Sequence, residues 1–98
     1  MVDYAGASTA TLAAATVASV LPQRTGRRIA FAIANVGANA AFINMSDGQT
    51  ATANYGIYLA PGGILTDSNM GGYQCWQGAI AGISTAGSTL SIWERVDL

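Results

Sequence analysis

The stretch Arg24 to Gly48, RTGRRIAFAIANVGANAAFINMSDG, constrains the fold more than any other part of this chain. Ile29, Phe31 and Ile33 alternate with Ala30, Ala32 and Ala34. A period of two sends the two sets to opposite faces of a strand. Asn35 to Asn39 is turn chemistry, since Gly37 and the asparagines accept positive φ. Ala41 to Ser46 resumes the extended pattern and Asp47-Gly48 ends it, so the stretch reads as two strands around a tight turn. Its second face carries alanine where an ordinary wet face carries Lys, Glu and Thr. A strand that is small and apolar on its outer side expects cover there too, from another layer of its own fold or from another subunit.

Composition points the same way. The chain has 98 residues, the size of one domain, and 51% of them are hydrophobic. Only 9% are charged, against about 25% in a typical soluble domain. Low charge with high apolar content fits a protein whose surface is largely occupied by neighbours, and fits equally a compact, low-charge domain that stays soluble by itself. The net charge of −1 gives no global pull toward nucleic acid or an anionic membrane. Cys75 is the only cysteine, so no intrachain disulfide forms. Between Tyr73 and Trp76 it reads as a buried structural thiol. The apolar run 10–21 lacks the positive flank of a secretory signal and is too short to span a bilayer, so the chain reads as mature and soluble.

Along the chain, residues 1–9 are small and polar and read as an N-terminal arm, with a single domain over 10–98. Residues 10–21 combine alanine, which favours helix, with β-branched Thr11, Thr16, Val17 and Val20, which favour strand; with no capping box to open a helix they read as one strand stopped by Pro22. After the Ile29–Ser46 hairpin come a polar loop over Asp47–Tyr55 and short strands at Gly56–Leu59 and Ile64-Leu65, separated by the turn Pro61-Gly62-Gly63. A loop over Asp67–Gly72 follows, then a long Gly-dotted strand over Tyr73–Ser84 and a turn at Thr85–Ser88. A last strand, Thr89–Val96, has Leu90, Ile92 and Val96 on one face and Ser91, Trp93 and Arg95 on the other. About seven short strands at roughly ten-residue intervals, with no helix, predict an all-β antiparallel β-sandwich.

Most catalytic templates fail on residue content. Without His there is no Ser-His-Asp or Cys-His arrangement. Without Lys there is no Schiff base and no Walker lysine. One Cys and no His exclude the usual zinc sites. A carboxylate pair from Asp47, Asp67, Glu94 and Asp97 remains conceivable, but Asp47 and Asp67 sit where turns favour Asp. Asp67-Ser68-Asn69 lacks the spacing of a calcium loop, and Asn44-Met45-Ser46 matches the glycosylation sequon in a chain with no other sign of secretion. The expectation is a non-enzymatic protein with no metal and no cofactor.

Two groups remain as candidate binding residues. Arg24, Arg27 and Arg28 are the one basic cluster. They suit an acidic patch on a partner protein better than nucleic acid, for which interleaved aromatics are missing; the plainer reading is a solvated turn, or pairing with Glu94 or Asp97. Tyr55, Tyr58, Tyr73, Trp76 and Trp93 are large aromatics with polar tips, suited to an interface, to stacking on sugars, or to the core. Trp93, alternating with Ser91 and Arg95, is the better interface candidate. The candidate partner-binding set is therefore Arg24, Arg27, Arg28, Ala30, Ala32, Ala34, Tyr58 and Trp93.

The order of these segments resembles small structural proteins of tailed bacteriophages. The matching residues are Arg28 before the apolar strand Ile29–Asn35, then Gly56, Leu59 and Pro61-Gly62-Gly63. Tyr73, the run from Gly78 to Ser84 and Ser91-Ile92-Trp93-Glu94 complete the match, which covers about residues 10–95. Similar domains occur as capsid decoration proteins and in tail-fibre or head-fibre proteins. The resemblance implies a jelly-roll-like sandwich in a virion, bound to the major capsid protein or other virion proteins as a homo-oligomer, on the capsid surface or tail. A tail or fibre component and a carbohydrate-binding module using Tyr58, Trp76 or Trp93 are the rival expectations.

Overall fold

The computed structural model describes residues 3–45 and 56–97, and among them there is strand and irregular backbone but no helix. The strands are β1 (Asp3–Leu12), β2 (Ala18–Leu21), β3 (Arg28–Asn35), β4 (Ala41–Asn44), β5 (Ile57–Leu59), β6 (Ile64–Ser68), β7 (Ile80–Ile83) and β8 (Ser88–Asp97). They form two antiparallel four-stranded sheets, ordered β1-β8-β3-β6 and β2-β7-β4-β5. Phe31, Ile33, Leu90 and Ile92 of the first sheet share one buried core with Val20, Leu21, Ala41, Ile43, Leu59 and Ile80 of the second. The arrangement is sandwich-like, and the expected all-β antiparallel class holds.

Several boundaries differ from the sequence expectation. The expected arm over 1–9 is, from Asp3 onward, the start of β1, which pairs with β8 without a register break from Asp3↔Asp97 to Leu12↔Ser88. Between its ends it carries no core pattern, because its inward positions Gly6 and Ser8 are too small to fill the space they line together with Val20 and Leu21 of β2. The single strand expected over 10–21 is two, β1 and β2, in different sheets. Between them Ala15 takes a left-handed conformation (φ 54°) and its N–H donates to Ser84 O at 2.8 Å.

The hairpin expected at Ile29–Ser46 is a crossover: β3 and β4 belong to different sheets. Asn35, fully buried, organises the crossing. Its Nδ2 donates to Asn39 O and Leu59 O, both at 2.9 Å, and its Oδ1 accepts from Gly37 N and Ser88 Oγ. Gly37 is needed here for space rather than for positive φ: a Cβ would collide with Ser88 Oγ and come within 2.7 Å of Thr89 N. The long strand expected over Tyr73–Ser84 shortens to β7. Residues 74–79 form an irregular segment, held by hydrogen bonds from Cys75 N to Asn69 Oδ1 and from Trp76 N to Asp67 Oδ2. Gly82 faces inward, where a Cβ would come within 3.2 Å of the Val20 side chain and 3.4 Å of that of Ile43. The end of the second half of the expected hairpin, the loop over Asp47–Tyr55 and the last residue of the sequon lie outside the described residues.

Candidate functional site

The arginine cluster does not face outward as a unit. Strict alternation along β3 would put Arg28 on the outer face with Ala30. Instead the pairing shifts by one residue, Arg28 opposite Val96 and Ala30 opposite Arg95, leaving Ile29 as the extra residue of a β-bulge. A bulge re-aims the side chain beside it, and Arg28 turns into the interior, where it is fully buried. Every nitrogen of its guanidinium is engaged. Nε donates to Glu94 Oε2 at 2.8 Å, Nη1 to Trp76 O and Gly78 O, and Nη2 to Pro22 O at 2.5 Å. The group also lies 5.6 Å from the Phe31 ring centroid, a cation–π geometry.

Glu94 is the other half of this arrangement. It sits on the inner face of β8 with Leu90, Ile92 and Val96 and is almost fully buried. Arg24, partly exposed, closes on it from the β2–β3 connection with Nε at 3.0 Å and Nη2 at 2.6 Å. Burial pushes the Glu94 carboxyl up. The hydrogen bonds and charges of Arg24 and Arg28 outweigh that and hold its pKa below the ordinary value. Gln77 completes the enclosure: its Oε1 accepts from Arg28 N and its Nε2 donates to Arg28 O. The Cys75 thiol beside it is buried and donates to Arg28 O at 3.4 Å. Burial, then the charge of Asp67, raises its pKa, which makes it a poor nucleophile. The cluster is structural: Arg28 is removed from any partner surface, and Arg24 is engaged at home. Arg27 alone of the three is exposed.

The alanines and Trp93 come together on the outer face of the first sheet. Trp93 lies between Ala7 on β1 and Ala32 on β3, with Thr66 of β6 beyond. The neighbouring rows are Ala5, Arg95, Ala30 and Ser68 on one side, and Thr9, Ser91, Ala34 and Ile64 on the other. Arg95 is the one charged residue of these rows. Ala30, Ala32 and Ala34 are half-buried by their neighbours, Ala5 and Ala7 are exposed, and the indole is 40% exposed. A large ring flanked by methyl groups stands proud of its sheet. The result is a low, nearly uncharged face with a single aromatic projection, the anatomy of an interface core.

The remaining aromatics are dispersed. Tyr58, 60% exposed, lies on the edge strand β5 of the second sheet and meets Phe42 edge-on at 5.5 Å. Trp76 packs against the core and its Nε1 donates to Ala79 O. Tyr58, Trp76 and Trp93 therefore do not form one stacking platform. Tyr73 and Trp76 border a shallow groove with Gln23, Met45, Asp67 and Gln74, yet its carboxylate is already committed: Asp67 accepts from Ser68 N, Tyr73 OH and Trp76 N. Among the described residues no group of His, Cys, Asp and Glu is placed to hold a metal ion, and no helix is long and apolar enough to cross a membrane.

Sequence reasoning missed Glu94 as an interior residue and Gln77 as the clamp on the Arg28 backbone. Glu94 was signalled by its even spacing from Leu90, Ile92 and Val96; nothing local signals Gln77. No protein-family model matches this chain, and comparison with the curated proteins finds no match.

Proposed function

We propose that this chain is a non-enzymatic structural component of a bacteriophage virion, a decoration protein that binds the assembled capsid shell through the outer face of its first sheet. The observation that carries this reading is the low-charge face around Trp93, with Ala7, Ala30, Ala32 and Ala34 beside it. The order of sequence motifs, which resembles small phage structural proteins with jelly-roll-like sandwiches, supplies the virion context. Binding only the assembled lattice would stabilise it by mass action. The major capsid protein is then the partner and the capsid surface the location.

Co-sedimentation of the purified protein with heads, with tails and with dissociated capsid subunits of the phage encoding it tests this. The expected result is binding to assembled heads alone. It should be lost in Ala32→Glu and weakened about 30-fold in Trp93→Ala, the loss of a 2 kcal/mol hot spot. Binding to tails alone would transfer the reading to a tail or fibre component. Binding to neither would overturn it.

A further inference from the structure

Four strands form the edges of the two sheets: β1 and β6 in the first, β2 and β5 in the second. Three of them are guarded in the ways natural sheets guard their edges. β5 is three residues long and runs within two residues of Pro61. β2 is four residues long, is irregular between Ser19 and Leu21, and is followed by Pro22. β6 is five residues long and carries Asp67. β1 is different. It is ten residues long, pairs with β8 in unbroken register, contains no Pro, Lys or Arg, and carries its one charge, Asp3, at its first residue, leaving Tyr4–Leu12 uncharged. Among the described residues no strand pairs along its other side. An edge of that length and smoothness is a template for another strand.

We propose that two copies of this chain pair antiparallel through β1 about a two-fold axis at Ala7. The sequence DYAGASTATL is compatible with itself in this register. A two-fold axis normal to the sheet keeps the outer faces of both copies on one side, so each residue must meet one of the same parity. Centring on Ala7 sets Ala7 opposite Ala7, Ala5 opposite Thr9 and Asp3 opposite Thr11, with no like charges facing. It uses residues 3–11 and stops before Leu12, whose side chain is drawn into the core and after which the chain turns away from the sheet. The paired segment spans about 30 Å. The product is one continuous eight-stranded sheet, with two Trp93-centred faces side by side on the same surface. A single added strand pair buries less than the ~800 Å² per partner of a standard interface, so the dimer in solution is reversible and depends on concentration. This inference goes beyond the virion reading, since it concerns the chain with itself and is measured without any particle.

Sedimentation velocity of the full chain over a broad concentration range should show a monomer–dimer equilibrium. Ala7→Lys and Ala7→Glu, each placing like charges opposite one another at the axis, should each be monomeric. Mixed in equal amounts they should dimerise again, because the pairing then sets Lys against Glu. Under oxidation Ala7→Cys should form a disulfide-linked dimer, since directly opposed antiparallel residues lie about 4.5–5.5 Å apart at Cα, within disulfide reach. Cys75 is buried and does not compete. A monomer at every concentration without cross-linking would overturn the proposal. So would a dimer that persists unchanged in Ala7→Lys, or cross-linking through Ser8→Cys in place of Ala7→Cys.

Discussion

Arg28 Nε and Glu94 Oε2 meet at 2.8 Å between the two sheets, with the arginine side chain wholly removed from solvent and the glutamate nearly so. A charge in that position is tolerable only with every polar atom engaged. That condition is met: the remaining guanidinium nitrogens reach Pro22 O, Trp76 O and Gly78 O, and the second carboxylate oxygen takes Arg24. The pair thereby ties β3, β8, the β2–β3 connection and the irregular segment before β7 to one point.

Removing one partner leaves the other charge buried and unpaired. Glu94→Gln should therefore cost about 3–5 kcal/mol of folding stability, read as a lower midpoint in urea unfolding. Arg27→Gln, an exposed neighbour, should change the midpoint by less than about 0.5 kcal/mol. Equal effects for the two variants would show that the buried pair has no special weight.

Acid should undo the same interaction. The Glu94 pKa is lower in the folded chain than its ordinary 4.5. Its contribution is then fully present above the unfolded value and is lost as pH falls through the folded one. Urea midpoints should be flat from neutral pH down to about pH 5 and fall below about pH 4.5. In Glu94→Gln the acid-side fall should be shallower. An identical acid profile in both proteins would place the titration elsewhere.

How much of this was legible beforehand varies by element, for physical reasons. The alternation of Phe31 and Ile33 with Ala32 and Ala34, and of Leu90 and Ile92 with Ser91 and Trp93, gave strands and faces correctly, because burial enforces the period of two. The same rule failed at Arg28, since one extra residue at Ile29 inverts the face of everything before it and leaves no local mark in composition. The Asn35–Asn39 turn was visible, but whether it closes a hairpin or carries the chain to the opposite sheet depends on distant Leu59 and Ser88. Trp93 and the β3 alanines lie on one face of the first sheet, a juxtaposition that only the pairing of β3 with β8 reveals. The arginines did not join them, because a solvated cluster and a buried ion pair look alike in sequence.

Gly37→Ala should destabilise the crossover by about 1–3 kcal/mol, the usual cost of forcing extra volume into a packed site. The obstruction includes the Thr89 backbone N as well as Ser88 Oγ, so truncating the serine cannot relieve it. Ser88→Ala in the Gly37→Ala background should accordingly fail to restore the urea midpoint. It should lower it further, since Asn35 Oδ1 loses the hydroxyl donor at 2.7 Å. Recovery of stability in the double variant would show that the side chain was the whole obstacle.

Deletion of residues 1–9 separates pairing from packing. The deletion removes most of the β8 partner along one side, so some stability must go with it. The loss should be small. The inward positions Gly6 and Ser8 bury little apolar surface, and the core contributions of β1 come from Ala10 and Leu12, which remain. Ordering those residues also costs roughly 1–2 kcal/mol each in chain entropy, which offsets much of what their hydrogen bonds return. The expected outcome is a folded protein with a net loss of about 1 kcal/mol, a thermal midpoint lower by roughly 4–8 °C and no dimer at any concentration. Complete unfolding would mean that β8 cannot persist as an edge strand and that β1 is part of the minimal fold. A dimer surviving the deletion would move self-association away from β1, to the face around Trp93 or to the second sheet.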